Sequence, residues 1–138
     1  MEIQLNRTSR DFEFTAQNAD CQIPIVATPE LSGDAPGFRP MELMLVSLAG
    51  CLSIDVLQIL GKQRQTVQDY QVKVKAERID AIPAIFKNIH VQLELVGDLD
   101  SSKVEKAIDL SRDKYCSASK ILEVTADIQT SFTIKSSL

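Results

Sequence analysis

Residues 41–60 read MELMLVSLAGCLSIDVLQIL, and how this stretch is read decides the fold. Only Glu42 and Asp55 carry a formal charge, and Cys51 lies between them. Pro40, just before the run, suits the first turn of a helix, where its missing N–H would be unpaired in any case. Gly61 follows as the expected C-cap, with Lys62 and Arg64 beyond it at the negative end of the dipole. The spacing predicts a central helix over 40–61. Apolar residues fall on every side of it, and a helix apolar all round must be buried all round. In a chain of 138 residues one sheet covers only part of that surface, so a second subunit is expected to cover the rest.

The run is also long enough for a bilayer, which takes about 20 residues. Asp55 near its middle opposes that use, at about 2.5–3.5 kcal/mol on insertion scales. Gln58, two serines and the amphipathic strands downstream, which need the same core, point the same way. The reading is a core helix, with no membrane partner.

Working outward, residues 2–7 read as a strand with Ile3 and Leu5 on one face, and residues 11–16 as another with Phe12 and Phe14. Pro24 interrupts a third apolar piece at 23–26, which marks an edge or irregular strand. Five Pro or Gly residues between 28 and 40 predict a loop. Beyond the helix, Tyr70, Val72, Val74 and Ala76 alternate with polar residues, as do Ile89, Val91, Leu93 and Leu95, the half-buried pattern of an antiparallel sheet. Ser102 and Glu105 match a capping box opening a helix whose inner stripe is Val104, Ala107, Ile108, Ser111 and Tyr115. A break at Cys116 and Ser117 leads to a short helix through Glu123. Val124, Ala126, Ile128, Phe132 and Ile134 then alternate as a last strand. The pattern is α+β, in a single domain over 1–138: strands and loop at 1–39, helix at 40–61, then hairpin, helices and last strand at 68–138.

Composition excludes several classes. Hydrophobic residues at 44% and charged residues at 25% argue against disorder, and a net charge of -4 argues against a nucleic-acid partner. No basic start leads into an apolar run at the N-terminus, so three cysteines are expected as reduced thiols in a cytoplasmic protein. There is no phosphate loop or dinucleotide fingerprint. Cys21, Cys51, Cys116 and His90 lack zinc spacing along the chain, and His90 falls on the polar face of its strand, which removes a Cys–His hydrolase. Neither cofactor nor metal is expected.

Cys51 alone reads as a small buried hydrophobe. Asp55, four residues on, projects from the same helix face. A carboxylate there disfavours a thiolate unless a cation lies between, so Asp55 is expected to pair with a basic group or backbone N–H across an interface. Cys116, in KYCSAS, lies at a helix start, where free N–H groups stabilise a thiolate and Ser119 could donate to it. It reads equally as a cysteine near a helix cap, with the serines as capping residues.

Taken together, PMELMLVSLAGCLSIDV (40–56) and KYCSAS (114–119) resemble the OsmC/Ohr family of thiol-dependent peroxidases, nearest the less characterised OsmC-related branch, in which P-x-E-L leads into A-G-C and I-D-V. The resemblance implies an OsmC-like fold: an intertwined homodimer with antiparallel sheets packed on the long central helix. It implies that Cys51 is the peroxidatic cysteine and Cys116 the resolving one, with an organic hydroperoxide as substrate and an external dithiol as reductant. It also implies a glutamate and an arginine as activators. Well-studied members have glutamate directly after the helix-opening proline, where this chain has Met41; Glu42 stands one place later, a rotation of about 100°. The arginine comes from the loop between the first two strands, where Arg10 is the choice over Arg7, with Arg39 a rival. Two other functions fit the same scaffold: a non-catalytic module binding a small apolar ligand, and a redox sensor acting on a partner protein.

Overall fold

The computed structural model describes residues 1–9 and 11–136. The chain divides into two compact units, Met1–Val46 and Ser47–Leu138.

The first unit holds a three-stranded antiparallel sheet in the order β1 (Gln4–Arg7), β2 (Glu13–Gln17), β3 (Gln22–Val26). Phe14 lies opposite Ile25 and Thr15 opposite Pro24. Pro24 is tolerated because β3 is the outer strand, as its sequence suggests. Phe38 closes that outer side: its N–H donates to the Pro24 carbonyl and its carbonyl accepts from Val26 N–H, both at 3.0 Å. Gly37 makes this approach possible, since a Cβ there would stand 2.9 Å from Val26 Cγ1. The stretch expected to be all loop contains a short helix, α1 (Pro29–Ser32), with Pro29 at its first turn. Ser32 secures it, accepting from Ala27 N–H and donating to the Phe12 carbonyl, each at 2.9 Å.

Helix α2 (Pro40–Lys62) starts at the expected proline. Its end differs from the expectation. Gly61 stays within the helix, and Arg64 takes the left-handed position instead, at φ 58°. Arg64 N–H bonds the Gly61 carbonyl and Gln65 N–H the Leu60 carbonyl, at 3.0 and 2.9 Å, which is the Schellman pattern of C-terminal closure. Leu48, Leu52, Val56 and Leu60 form a fully buried i, i+4 stripe. The opposite face is open: Val46 is 48% exposed, Ile54 63% and Leu57 40%. By length and composition alone α2 could cross a membrane.

In the second unit β4 (Asp69–Arg78) pairs antiparallel with β5 (Phe86–Val96), and Val72 meets Leu93. β6 (Asp127–Lys135) runs parallel to β5 on its other side, so this sheet is mixed rather than antiparallel throughout. A parallel neighbour needs a long crossover, supplied here by α3 (Ser101–Leu110), a π-helical turn (Ser111–Tyr115) and α4 (Ser117–Leu122). The core of the unit comprises the α2 stripe, Ile89, Val91, Leu93 and Leu95 of β5, and Val104, Ala107 and Ile108 of α3. Each fully buried large aliphatic side chain contributes roughly 1.5–3 kcal/mol.

The α3 start is capped two residues earlier than the S-x-x-E pattern suggests. Asp100 accepts from Ser102 N–H, Lys103 N–H and the Ser102 hydroxyl, a carboxylate serving three donors where a serine would serve fewer. Ser111 is buried as expected, but Tyr115 is 52% exposed because the wider π turn rotates it off the stripe. Val124 is exposed as well, since the last strand begins only at Asp127. Gly97 closes the β5 end at φ 149°, where an added Cβ would lie 2.7 Å from the Thr66 carbonyl.

Candidate functional site

Three chemistry-bearing residues of the second unit converge. Cys51 Sγ, an Asp55 carboxylate oxygen and Cys116 Sγ all lie within 4.8 Å of one another. Helix α2 supplies the first two at i and i+4, hence on one face. Cys116 arrives from 65 positions later, where the π turn ends.

That turn sets the position of Cys116. Its backbone N–H donates to the Ser111 carbonyl at 2.7 Å, an i→i−5 bond that ends the π turn, and its own extended backbone starts α4. Cys116 is the α4 N-cap: Ser119 N–H donates to its Sγ at 3.3 Å. The sequence reading of a cysteine at a helix start therefore holds, with Ser119 as the donor through its backbone N–H. The Ser119 Oγ is buried, and among the described residues it has no partner at full hydrogen-bond geometry. The expectation of a stabilised Cys116 thiolate is corrected. Burial pushes the thiol above its ordinary value, the neighbouring Cys51 adds to this, and Ser119 only partly opposes it. Desolvation of a fully buried sulfur outweighs one turn of helix N-terminus.

Asp55 finds a partner within its own chain: Ser111 Oγ donates to Asp55 Oδ2 at 2.8 Å. The signal was present in the sequence: a serine on an otherwise apolar helix stripe needs a polar partner. Among the described residues Asp55 forms no salt bridge; nearby Arg112 engages Asp109 and Asp113 instead.

The other expected residues behave differently. Glu42 is exposed and closes the α2 start, accepting from Arg39 N–H at 3.2 Å and facing the Arg39 guanidinium at 3.9 Å. Arg10 lies outside the described residues. Arg7 donates from Nε to the Asp11 carbonyl at 3.1 Å. Cys21 is exposed. His90 is exposed as expected, with Nε2 2.8 Å from Ser131 Oγ. It lines a groove of about 430 Å³ with Lys75, Glu77 and Asp127, and neither Cys51 nor Cys116 is among the lining residues. The lack of zinc spacing along the chain does not extend to space: among the described residues, Cys51, Asp55 and Cys116 form a group able to hold a metal ion.

The family model of OsmC-like proteins matches residues 32–131, which takes in both cysteine motifs. The chain belongs to the OsmC-like family. Protein YhfA of Escherichia coli K12 is 42% identical over 105 residues, covering 75% of this chain and 77% of YhfA. A hypothetical protein of Aquifex aeolicus VF5 superposes with a TM-score of 0.88 at 29% identity, covering 99% and 97% of the two chains. The organic hydroperoxide resistance protein OhrB of Bacillus subtilis shares the OsmC-like fold, with a TM-score of 0.67 at 18% identity over 96% of each chain. The α+β architecture expected from sequence is thus that of the OsmC-like structures.

Proposed function

We propose that this protein is a cytoplasmic, homodimeric, thiol-dependent peroxidase of organic hydroperoxides. The observation supporting this most directly is the approach of Cys51 Sγ and Cys116 Sγ to within 4.8 Å, across 65 residues of chain. The Cys51 thiolate attacks one oxygen of the peroxide bond. That bond breaks, the alkoxide takes a proton and leaves as an alcohol, and Cys51 becomes a sulfenic acid. Cys116 then attacks the Cys51 sulfur. A disulfide forms, and the hydroxyl leaves with the Cys116 proton as water. An external dithiol reduces the bridge by exchange.

The difference in exposure between the sulfurs supports this order. Cys51 is half-buried and open to a substrate, whereas Cys116 is fully buried and meets only what Cys51 presents. Burial pushes the Cys116 thiol up, so it gives up its proton as it attacks the sulfenic sulfur, and that proton leaves with the hydroxyl as water. Glu42 and Arg10 are assigned as activators on the family resemblance. The homodimer reading draws on the open apolar face of α2.

A single-turnover experiment tests the proposal. Reduced protein given one equivalent of cumene hydroperoxide is expected to consume it and to yield a Cys51–Cys116 bridge by peptide mass spectrometry. Cys51→Ala is expected to leave the peroxide intact. Intact peroxide with both thiols free in folded wild-type protein overturns the proposal.

A further inference from the structure

The Cys51–Asp55–Cys116 cluster contains more than disulfide chemistry uses. Disulfide formation between the two sulfurs does not use the Asp55 carboxylate, and an anion there opposes thiolate formation. Asp55 is nevertheless held in place: Ser111 donates to one carboxylate oxygen at 2.8 Å, and among the described residues no hydrogen bond engages the other. Among the described residues it has no basic partner to balance its charge. Three potential anions converge, and among the described residues no ion pair reaches any of them.

We infer that in the reduced protein this cluster is a binding site for a thiophilic divalent cation of the Zn²⁺ class, with Cys51 Sγ, Asp55 and Cys116 Sγ as ligands and a fourth position open. The donor set fits that ion. Zinc takes thiolate sulfur at about 2.3 Å and carboxylate oxygen at about 2.0–2.2 Å, and sites with three protein ligands keep one coordination position for water or substrate. Tetrahedral angles at those lengths put the donor atoms roughly 3.5–3.8 Å apart. The present separations, all within 4.8 Å, close to that by about an ångström of side-chain rotation. A hydrogen-bonded outer layer is also present. Ser111 orients the carboxylate, and Ser119 N–H points at the Cys116 sulfur at 3.3 Å. The buried Ser119 Oγ, without a fully formed hydrogen bond among the described residues, lies on the residue that holds this sulfur.

The site excludes the disulfide, because the same two sulfurs cannot be thiolate ligands and bonded to each other. Oxidation of the loaded site by a hydroperoxide therefore takes two electrons from the thiolates. The hydroperoxide and two protons become alcohol and water, the disulfide forms, and the metal ion is released. Metal binding itself does not depend on the peroxidase reading, and a protein that never turns over peroxide could still hold the ion.

Cobalt(II) is the probe, added to reduced, metal-free, full-length protein. The expected result is one ion per chain, with a thiolate-to-cobalt charge-transfer band and the visible bands of a tetrahedral centre. Zn²⁺ displaces both. Asp55→Asn is expected to weaken binding at least tenfold while keeping the charge-transfer band, and Ser111→Ala to weaken it roughly 10- to 100-fold. Cys51→Ser and Cys116→Ser each lose the tetrahedral spectrum, whereas Cys21→Ser leaves it unchanged. Diamide oxidation, which closes the bridge without peroxide, abolishes binding. The inference is overturned if no charge-transfer band appears while thiol titration and circular dichroism show free cysteines in a folded chain. It is equally overturned if the spectrum survives in Cys116→Ser, since the metal then sits elsewhere.

Discussion

If the open face of α2 meets a second copy, Ile54→Ser should weaken that association by a calculable amount. Ile54 leaves 63% of its surface exposed on a helix whose opposite stripe is fully buried. Burying a whole isoleucine side chain is worth roughly 1.5–3 kcal/mol, so the exposed share is worth about 1–2. A two-fold interface uses the same patch twice, so the loss per dimer is about 2–4 kcal/mol. That raises the dissociation constant about 30- to several-hundred-fold. Leu57, 40% exposed on the same face, adds a smaller increment in the double variant. Sedimentation equilibrium over a range of protein concentrations reads the constant directly, and circular dichroism verifies the fold. The reasoning is refuted if wild-type protein is monomeric at about 100 μM, or if Ile54→Ser and Ile54→Ser/Leu57→Ser associate as wild type does.

Three further expectations come from local geometry. Burial raises the pKa of both Cys116 and Tyr70 from ordinary values of 9.0 and 10.0, so each favours its neutral form in the folded state. A raised folded value contributes stability that is complete below the ordinary value and lost as pH climbs through the raised one. The urea midpoint of reduced protein should thus hold up to about pH 9 and fall above it, with a shallower fall in Cys116→Ala and Tyr70→Phe; an unchanged alkaline slope in both contradicts this. Arg64→Gly should raise the melting temperature by roughly 3–5 °C, because a non-glycine residue at φ 58° costs about 1 kcal/mol, and a lower temperature would count against that strain. Gly97→Ala should destabilise by about 2 kcal/mol or more, through its φ of 149° and the Thr66 carbonyl 2.7 Å from the new Cβ; a neutral result in urea unfolding would refute it.

The elements that alternate or repeat strongly were legible. The α2 start at Pro40 and the hairpin phases at Val72, Val74, Val91 and Leu93 follow from periodicity alone, and the structure has them where expected. The direction of β6 was not legible, because the same alternation serves parallel and antiparallel neighbours and only the crossover decides. Helix ends were misread where two groups compete for one role. Gly61 yielded to Arg64 once the helix ran a turn's fraction longer, and Ser102 yielded to Asp100, whose carboxylate accepts three donors. At the site, the C-x-x-x-D spacing put Cys51 and Asp55 on one face, and the serine at 111 was legible as part of a stripe. Their meeting was not, because it depends on tertiary placement of a turn that pattern reading renders as ordinary helix.

That turn also has a consequence for how the sequence can vary. A π turn is an α-helix carrying one surplus residue, and removing a residue between Ser111 and Tyr115 would restore regular winding. Everything after it would then be rotated by about 100° about the axis. Cys116 would swing out of reach of Cys51 and Asp55 while every side chain kept its chemical identity. In this segment it is the length of the chain, counted in residues, that sets the angular phase of the buried sulfur, so it tolerates exchange of side chains far better than a single gain or loss of one.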